Sequence, residues 1–240
     1  MVIKKSRSEF LAISVLLLIA VSSCTITRNY RNEAISKWEK EVLEFKKSDS
    51  LEHDPTNAIL FTGSSSIRLW STIKEDMAPY PVIQRGFGGS KFSDLSVYAK
   101  DIIYPHQFRA LVIFEANDIT GDKSDKTPDQ VAKLFREIIS TVRMKYAKEP
   151  IFVVEITPNS SRWASWTKIK RTNQLLRESC SDNANTWFIE TSASYLNNSG
   201  EPRNELFRTD LLHQNRDGYS IWGALIRKKL DQVLVEIPKN

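Results

Sequence analysis

Short apolar runs at 58–62, 82–85, 110–114, 151–156 and 186–189 alternate with stretches of helical spacing, and this alternation constrains the chain most. Brief, continuously apolar segments of this kind suit strands buried on both faces, and intervening helices supply the crossovers a parallel sheet needs. The pattern predicts an α/β fold with a central, mostly parallel five-stranded sheet covered by helices on both sides. At 240 residues with 41% hydrophobic content the chain can bury one sizeable core, and its length requires no second domain. A long amphipathic stretch around 166–180 and a helix from 217 to 234 complete the regular elements. The Asn-, Ser- and Gly-rich segment 192–209 reads as a surface loop.

The N-terminus divides from the rest. Lys4, Lys5 and Arg7 precede an apolar stretch from Phe10 to Val21, too short for a membrane span and suited to a signal-peptide core. It ends in Val21-Ser22-Ser23-Cys24, which resembles the bacterial lipobox. The resemblance implies cleavage after residue 23 and lipid attachment to Cys24, a membrane anchor that does not span the bilayer. The expected organisation is a signal peptide at 1–23, a lipid-anchored tether and N-terminal helix at 24–57, and a catalytic domain at 58–240. Ile35, Trp38, Val42, Leu43 and Phe45 mark the apolar face of that helix. Of the 240 residues 23 would be removed, leaving 217 and Cys180 as the one unmodified cysteine, expected to be a buried thiol. Loss of three cations and Glu9 lowers the formal charge from +5 to +3. That charge gives nucleic-acid binding little support. Thr25 after Cys24 resembles lipoproteins passed onward to an outer membrane, so the expected location is the cell envelope.

Chemistry concentrates where strands end. Gly63-Ser64-Ser65-Ser66-Ile67 follows the first apolar run, at the carboxyl edge where open α/β sheets hold ligands, and makes Ser65 a candidate nucleophile. A serine hydroxyl needs a base and a group that orients the base. Of the three histidines, His53 and His106 read as surface residues in polar connections. His213 stands three residues after Asp210, a spacing that lets carboxylate and imidazole meet across a tight turn. Gly86-Phe87-Gly88-Gly89-Ser90 follows the second run and Glu115-Ala116-Asn117-Asp118 the third; a Gly-rich turn and an Asn amide can both donate to a developing oxyanion. Asn117 could instead cap a turn, and Asp118 is expected to bond backbone N–H groups. No Gly-Lys-Ser/Thr follows the glycines, which speaks against a phosphate loop.

This order of Ser, Gly, Asn and then Asp-x-x-His resembles the SGNH hydrolases, or GDSL esterase/lipase family, over nearly the whole chain from Ala58 to Leu234. The resemblance implies a flavodoxin-like α/β/α sandwich, no metal and no organic cofactor. It also implies Ser65 as nucleophile, His213 as base, Asp210 as its orienter, and Ser65, Gly89 and Asn117 as oxyanion donors. Two departures stand out. Ser64 replaces the Asp of the family's first block, and Glu115 replaces the Gly of its third. A Glu115 carboxylate turned inward would oppose an oxyanion; one turned away, toward Arg85 or Arg68, would not. Trp70, Trp163 and Trp166 can line a substrate pocket or belong to the core. The expected activity is hydrolysis of short acyl esters, such as acetyl groups on carbohydrate. The alternatives are a lysophospholipase and a non-catalytic glycan-binding lipoprotein using the same cleft.

Overall fold

Each apolar run becomes a strand of one parallel sheet. The computed structural model describes residues 30–236, so the signal segment and the lipidation expected at Cys24 lie outside the described residues. The strands are β1 (Ile59–Gly63), β2 (Val82–Gly86), β3 (Ala110–Phe114), β4 (Ile151–Val154) and β5 (Thr186–Ile189), in the spatial order β2-β1-β3-β4-β5. All four pairings are parallel. This is the doubly wound order of flavodoxin-like folds, whose ligand crevice opens at the carboxyl ends of β1 and β3, where the winding reverses. Every residue of β1 and β3 is buried, as expected of central strands covered on both faces.

Helix α1 spans 30–51. It is followed by α2 (Ser65–Arg68), α3 (Ile73–Asp76), α4 (Phe92–Ile103), α5 (Pro128–Arg143), α6 (Trp166–Ser181), α7 (Ser192–Tyr195) and α8 (Arg216–Glu236). Helices α4, α5 and α6 pack side by side on one face, and α3 meets α8 on the other. Local chemistry explains the boundaries. Before α5, the Thr127 hydroxyl accepts from the Gln130 amide while the Gln130 side chain accepts from Thr127 N–H, and Pro128 sits in the first turn.

Helix α1 lays Ala34, Trp38 and Val42 against the domain, and the Trp38 ring meets Phe87 edge-on with centroids 5.4 Å apart. Leu43, read as part of that face, is 56% exposed. At its far end Asp49 accepts from Arg85 Nε at 2.9 Å, so the edge strand β2 is tied to α1.

Two expectations change, and one open alternative closes. Segment 192–209 is not a free loop: it holds α7 and a 3-10 turn at Asn204–Leu206, and Tyr195, Leu206 and Phe207 are buried. Tyr195 Oη donates to the Gly218 carbonyl at 2.6 Å, which pins the segment to α8. His106 is buried, with Nδ1 2.9 Å from Asp54 Oδ1, whereas His53 is exposed. Trp70 is core, stacked on Tyr219 and packed against Trp222.

Candidate active site

Gly63 begins the site. Its φ is +132°, and a Cβ there would lie 1.9 Å from the Phe114 carbonyl oxygen, so only glycine lets the end of β1 press against β3. The Ser64 amide then donates to that carbonyl at 2.9 Å and the chain turns into α2, with Ser65 as its first residue. Ser64 occupies the N-cap position without a side-chain capping bond, so the hydroxyl that replaces the carboxylate leaves the turn to backbone bonding. Tyr219 Oη donates to the Ser66 carbonyl at 2.9 Å and fastens the turn to α8.

The Asp-His turn reaches Ser65 from the opposite end of the domain. Residues Phe207 and Gln214 form an antiparallel bridge, and Leu211 takes a φ of +53° at the tip. The Asp210 carboxylate accepts from the Leu212 and His213 amides at 3.0 and 2.9 Å. Its second oxygen lies 2.7 Å from His213 Nδ1, and His213 Nε2 lies 2.9 Å from Ser65 Oγ. Partial burial would raise the Asp210 pKa, but hydrogen bonds from the His213 ring and the two amides outweigh it and hold the carboxyl at about 2. An ionised Asp210 keeps the proton on Nδ1 and leaves Nε2 as the acceptor facing the serine, the tautomer general-base chemistry needs.

The candidate oxyanion donors stand differently. Gly89 has a φ of +81° in the turn between β2 and α4. Among the described residues neither its amide nor that of Ser65 donates to a backbone acceptor. Asn117 follows β3 and donates from Nδ2 to the Ser90 carbonyl at 2.8 Å. Ser65, Asn117 and His213 line a cleft of about 20 Å³ together with Phe114, Phe207 and Leu212; Gly89 is outside that lining.

Glu115 points neither into the cleft nor toward Arg85 or Arg68. Its carboxyl is 0% exposed beneath the β2–α4 turn, where the Ser90 hydroxyl lies 2.9 and 3.0 Å from its two oxygens. Burial pushes its pKa well above the ordinary carboxylate range, and the nearby Asp118 adds to the effect against the opposing Ser90 bond. The shift favours the uncharged acid, and its contact with Ser90 braces the turn with the carboxyl outside the cleft lining. Arg85 is taken by Asp49, while the Arg68 guanidinium covers Gly88. Asp118 accepts from the Phe92 amide at 2.7 Å, the backbone-bonding role expected of it, and its other oxygen is paired with the Lys126 ammonium at 3.2 Å.

Sequence reading missed Arg162, which follows β4. It is buried, and its guanidinium donates to the Ala116 carbonyl at 2.6 Å and to Asn117 Oδ1. Trp163 and Trp166 stack on each other, and neither lines the cleft. The described residues contain no group of three or more His, Cys, Asp or Glu side chains able to hold a metal ion.

No family model matches the sequence, and no curated protein matches it. Solved structures do resemble it. A GDSL-like lipase from Bacteroides thetaiotaomicron superposes with a TM-score of 0.65 at 13% identity, covering 80% of this chain and 97% of its own. A lipase/acylhydrolase from Enterococcus faecalis gives 0.60 at 21% identity over 74% and 96%. A carbohydrate esterase family 3 protein from Talaromyces cellulolyticus gives 0.59 at 15% over 75% and 99%. At these identities the likeness is one of architecture, and the chain carries the α/β/α fold of GDSL-like lipases and acylhydrolases.

Proposed function

We propose that the protein is a serine esterase that cleaves carboxylic esters through an acyl-serine intermediate. The observation that carries this reading is the hydrogen-bonded line Asp210–His213–Ser65, at 2.7 and 2.9 Å, opening on a cleft that Asn117 also lines. His213 Nε2 takes the Ser65 proton as Oγ attacks the ester carbonyl. The tetrahedral oxyanion is held by the Ser65 and Gly89 amides and Asn117 Nδ2. His213 then protonates the leaving alcohol as the C–O bond breaks. Water, deprotonated by the same imidazole, releases the acid and restores Ser65. Asp210 stays ionised throughout and stabilises the imidazolium.

Short acyl groups, mainly acetyl, fit best. The cleft holds about 20 Å³ beside Ser65, room at its floor for roughly one water-sized group such as an acetyl methyl. The carbohydrate esterase among the similar structures supports a carbohydrate or glycan as the alcohol. The test is turnover of p-nitrophenyl esters by residues 25–240, with folding checked by circular dichroism. Acetate should be hydrolysed at least tenfold faster than octanoate in kcat/KM, and Ser65→Ala and His213→Ala should each abolish turnover. A preference for octanoate would favour the lysophospholipase reading, and a folded protein that neither turns over acetate nor is labelled at Ser65 by a fluorophosphonate would favour a glycan-binding lipoprotein.

The lipobox-like Ser22-Ser23-Cys24 supports a location in the cell envelope, anchored by acyl chains on Cys24, outer membrane included. Metabolic labelling with a fatty acid should mark the wild type and not Cys24→Ala.

A further inference from the structure

Arg162 stands out because it is a buried cation without an anion. It is 8% exposed and forms no salt bridge among the described residues. The acids whose charges reach it, Asp125 and Asp118, are engaged with Lys168 and Lys126. Its visible partners are two neutral oxygens, the Ala116 carbonyl and Asn117 Oδ1. Removing a guanidinium from water for neutral acceptors is costly, and such an arrangement at the edge of a reactive cleft points to use.

The bonding of Asn117 says what the use is. An Asn amide has an acceptor end and a donor end that can exchange by a half-turn. Here Arg162 donates to Oδ1 while the Ser90 carbonyl accepts from Nδ2 at 2.8 Å. A flipped amide would set donor against donor at Arg162 and acceptor against acceptor at Ser90, so only one orientation is satisfied. Ser90 consumes one of the two Nδ2 hydrogens, and the other is left for the cleft that both residues line. The guanidinium also polarises the amide, which strengthens whatever bond that hydrogen makes.

We propose that Arg162 is a positioning residue of the oxyanion site: it locks the Asn117 amide with one N–H facing the cleft and places a positive charge behind it. The inference rests on the esterase reading. It assigns Arg162 an effect on the tetrahedral stage and none of its own on ester binding.

The experiment is a double-mutant cycle on p-nitrophenyl acetate hydrolysis, with the full chain as wild type, Asn117→Ala, Arg162→Met and the double variant, and Arg162→Lys alongside. Arg162→Met should lower kcat about 100-fold, comparable to loss of one oxyanion donor, and leave KM within about threefold. Arg162→Lys should recover about tenfold of that loss, since it keeps the charge but not the two-point grip. The double variant should be no slower than Asn117→Ala within about threefold, because Arg162 has nothing left to position. Should thermal unfolding show Arg162→Met to be unfolded, Arg162→Lys alone and with Asn117→Ala measures the same coupling. Fully additive losses, a kcat within threefold of wild type, or an effect confined to KM would overturn the role of Arg162 while leaving the esterase reading standing. A wild type without turnover would remove both.

Discussion

Replacing Glu115 with glutamine tests the protonation state beneath the oxyanion turn. Glu115 is fully buried against the Ser90 hydroxyl, and burial followed by repulsion from Asp118 raises its pKa well above 4.5. Asp118 is also pushed up by burial, but Lys126 and the Phe92 amide oppose the shift, whereas Glu115 has Ser90 as its one hydrogen-bond partner. The sign follows by linkage. Above pH 4.5 the unfolded chain releases this proton and the folded chain keeps it, so the stabilisation is complete below pH 4.5 and declines as pH rises toward the folded-state value. The decline is about 1.4 kcal/mol per pH unit across the window between the unfolded and folded values. Glutamine keeps the size and the oxygen that accepts from Ser90 but binds no proton, so it lacks this slope. Urea midpoints of wild type and Glu115→Gln should therefore nearly coincide at pH 5 and separate in favour of the variant by pH 8. With a slope of ~3 kcal/mol/M, each pH unit inside that window separates the midpoints by about 0.5 M. A midpoint difference that stays constant across that range would refute the argument, because it would mean Glu115 titrates alike in both states.

Trp38→Ala should destabilise by about 3–5 kcal/mol through the cavity left against Phe87, read as a drop of roughly 6–20 °C in Tm. Because Trp38 also lies 4.0 Å from where a Gly89 Cβ would be, kcat for p-nitrophenyl acetate should fall at temperatures where the variant is still folded. Burial pushes the Cys180 thiol up to about 12, so a disulfide reagent should label it only as fast as the chain unfolds. Labelling at the free-thiol rate in native buffer would contradict its placement.

The strands were legible because each is a compact apolar run, and all five expected positions became strands with small shifts of boundary, such as β1 moving on one residue to include Gly63. What the sequence hid were contacts between distant residues. His106 follows a proline in a polar connection and reads as exposed, yet Asp54 and Asp49 close over it. Segment 192–209 is polar in composition, but Tyr195, Leu206 and Phe207 anchor it, each too isolated to show a period. The direction of Glu115 depends on Ser90, 25 residues earlier, and the part played by Arg162 depends on Asn117, 45 residues before it. Neither pairing leaves a local pattern. Ser65, Asp210 and His213 could be picked out because their residue types are informative and because the sheet edge and the tight turn are local features.

The separation of 148 positions between Ser65 and His213 has a consequence for when the two can meet. The strand that leads to Ser65 is the first of the sheet to leave the ribosome, whereas His213 emerges after all five strands and is held by a turn that α8 secures. A nascent chain can therefore complete its sheet and still have an unassisted serine. Contacts of such long separation form late and are lost together with the global fold. Ser65 meets His213 only in a finished molecule, so the onset of any activity during refolding would time the arrival of the last helix.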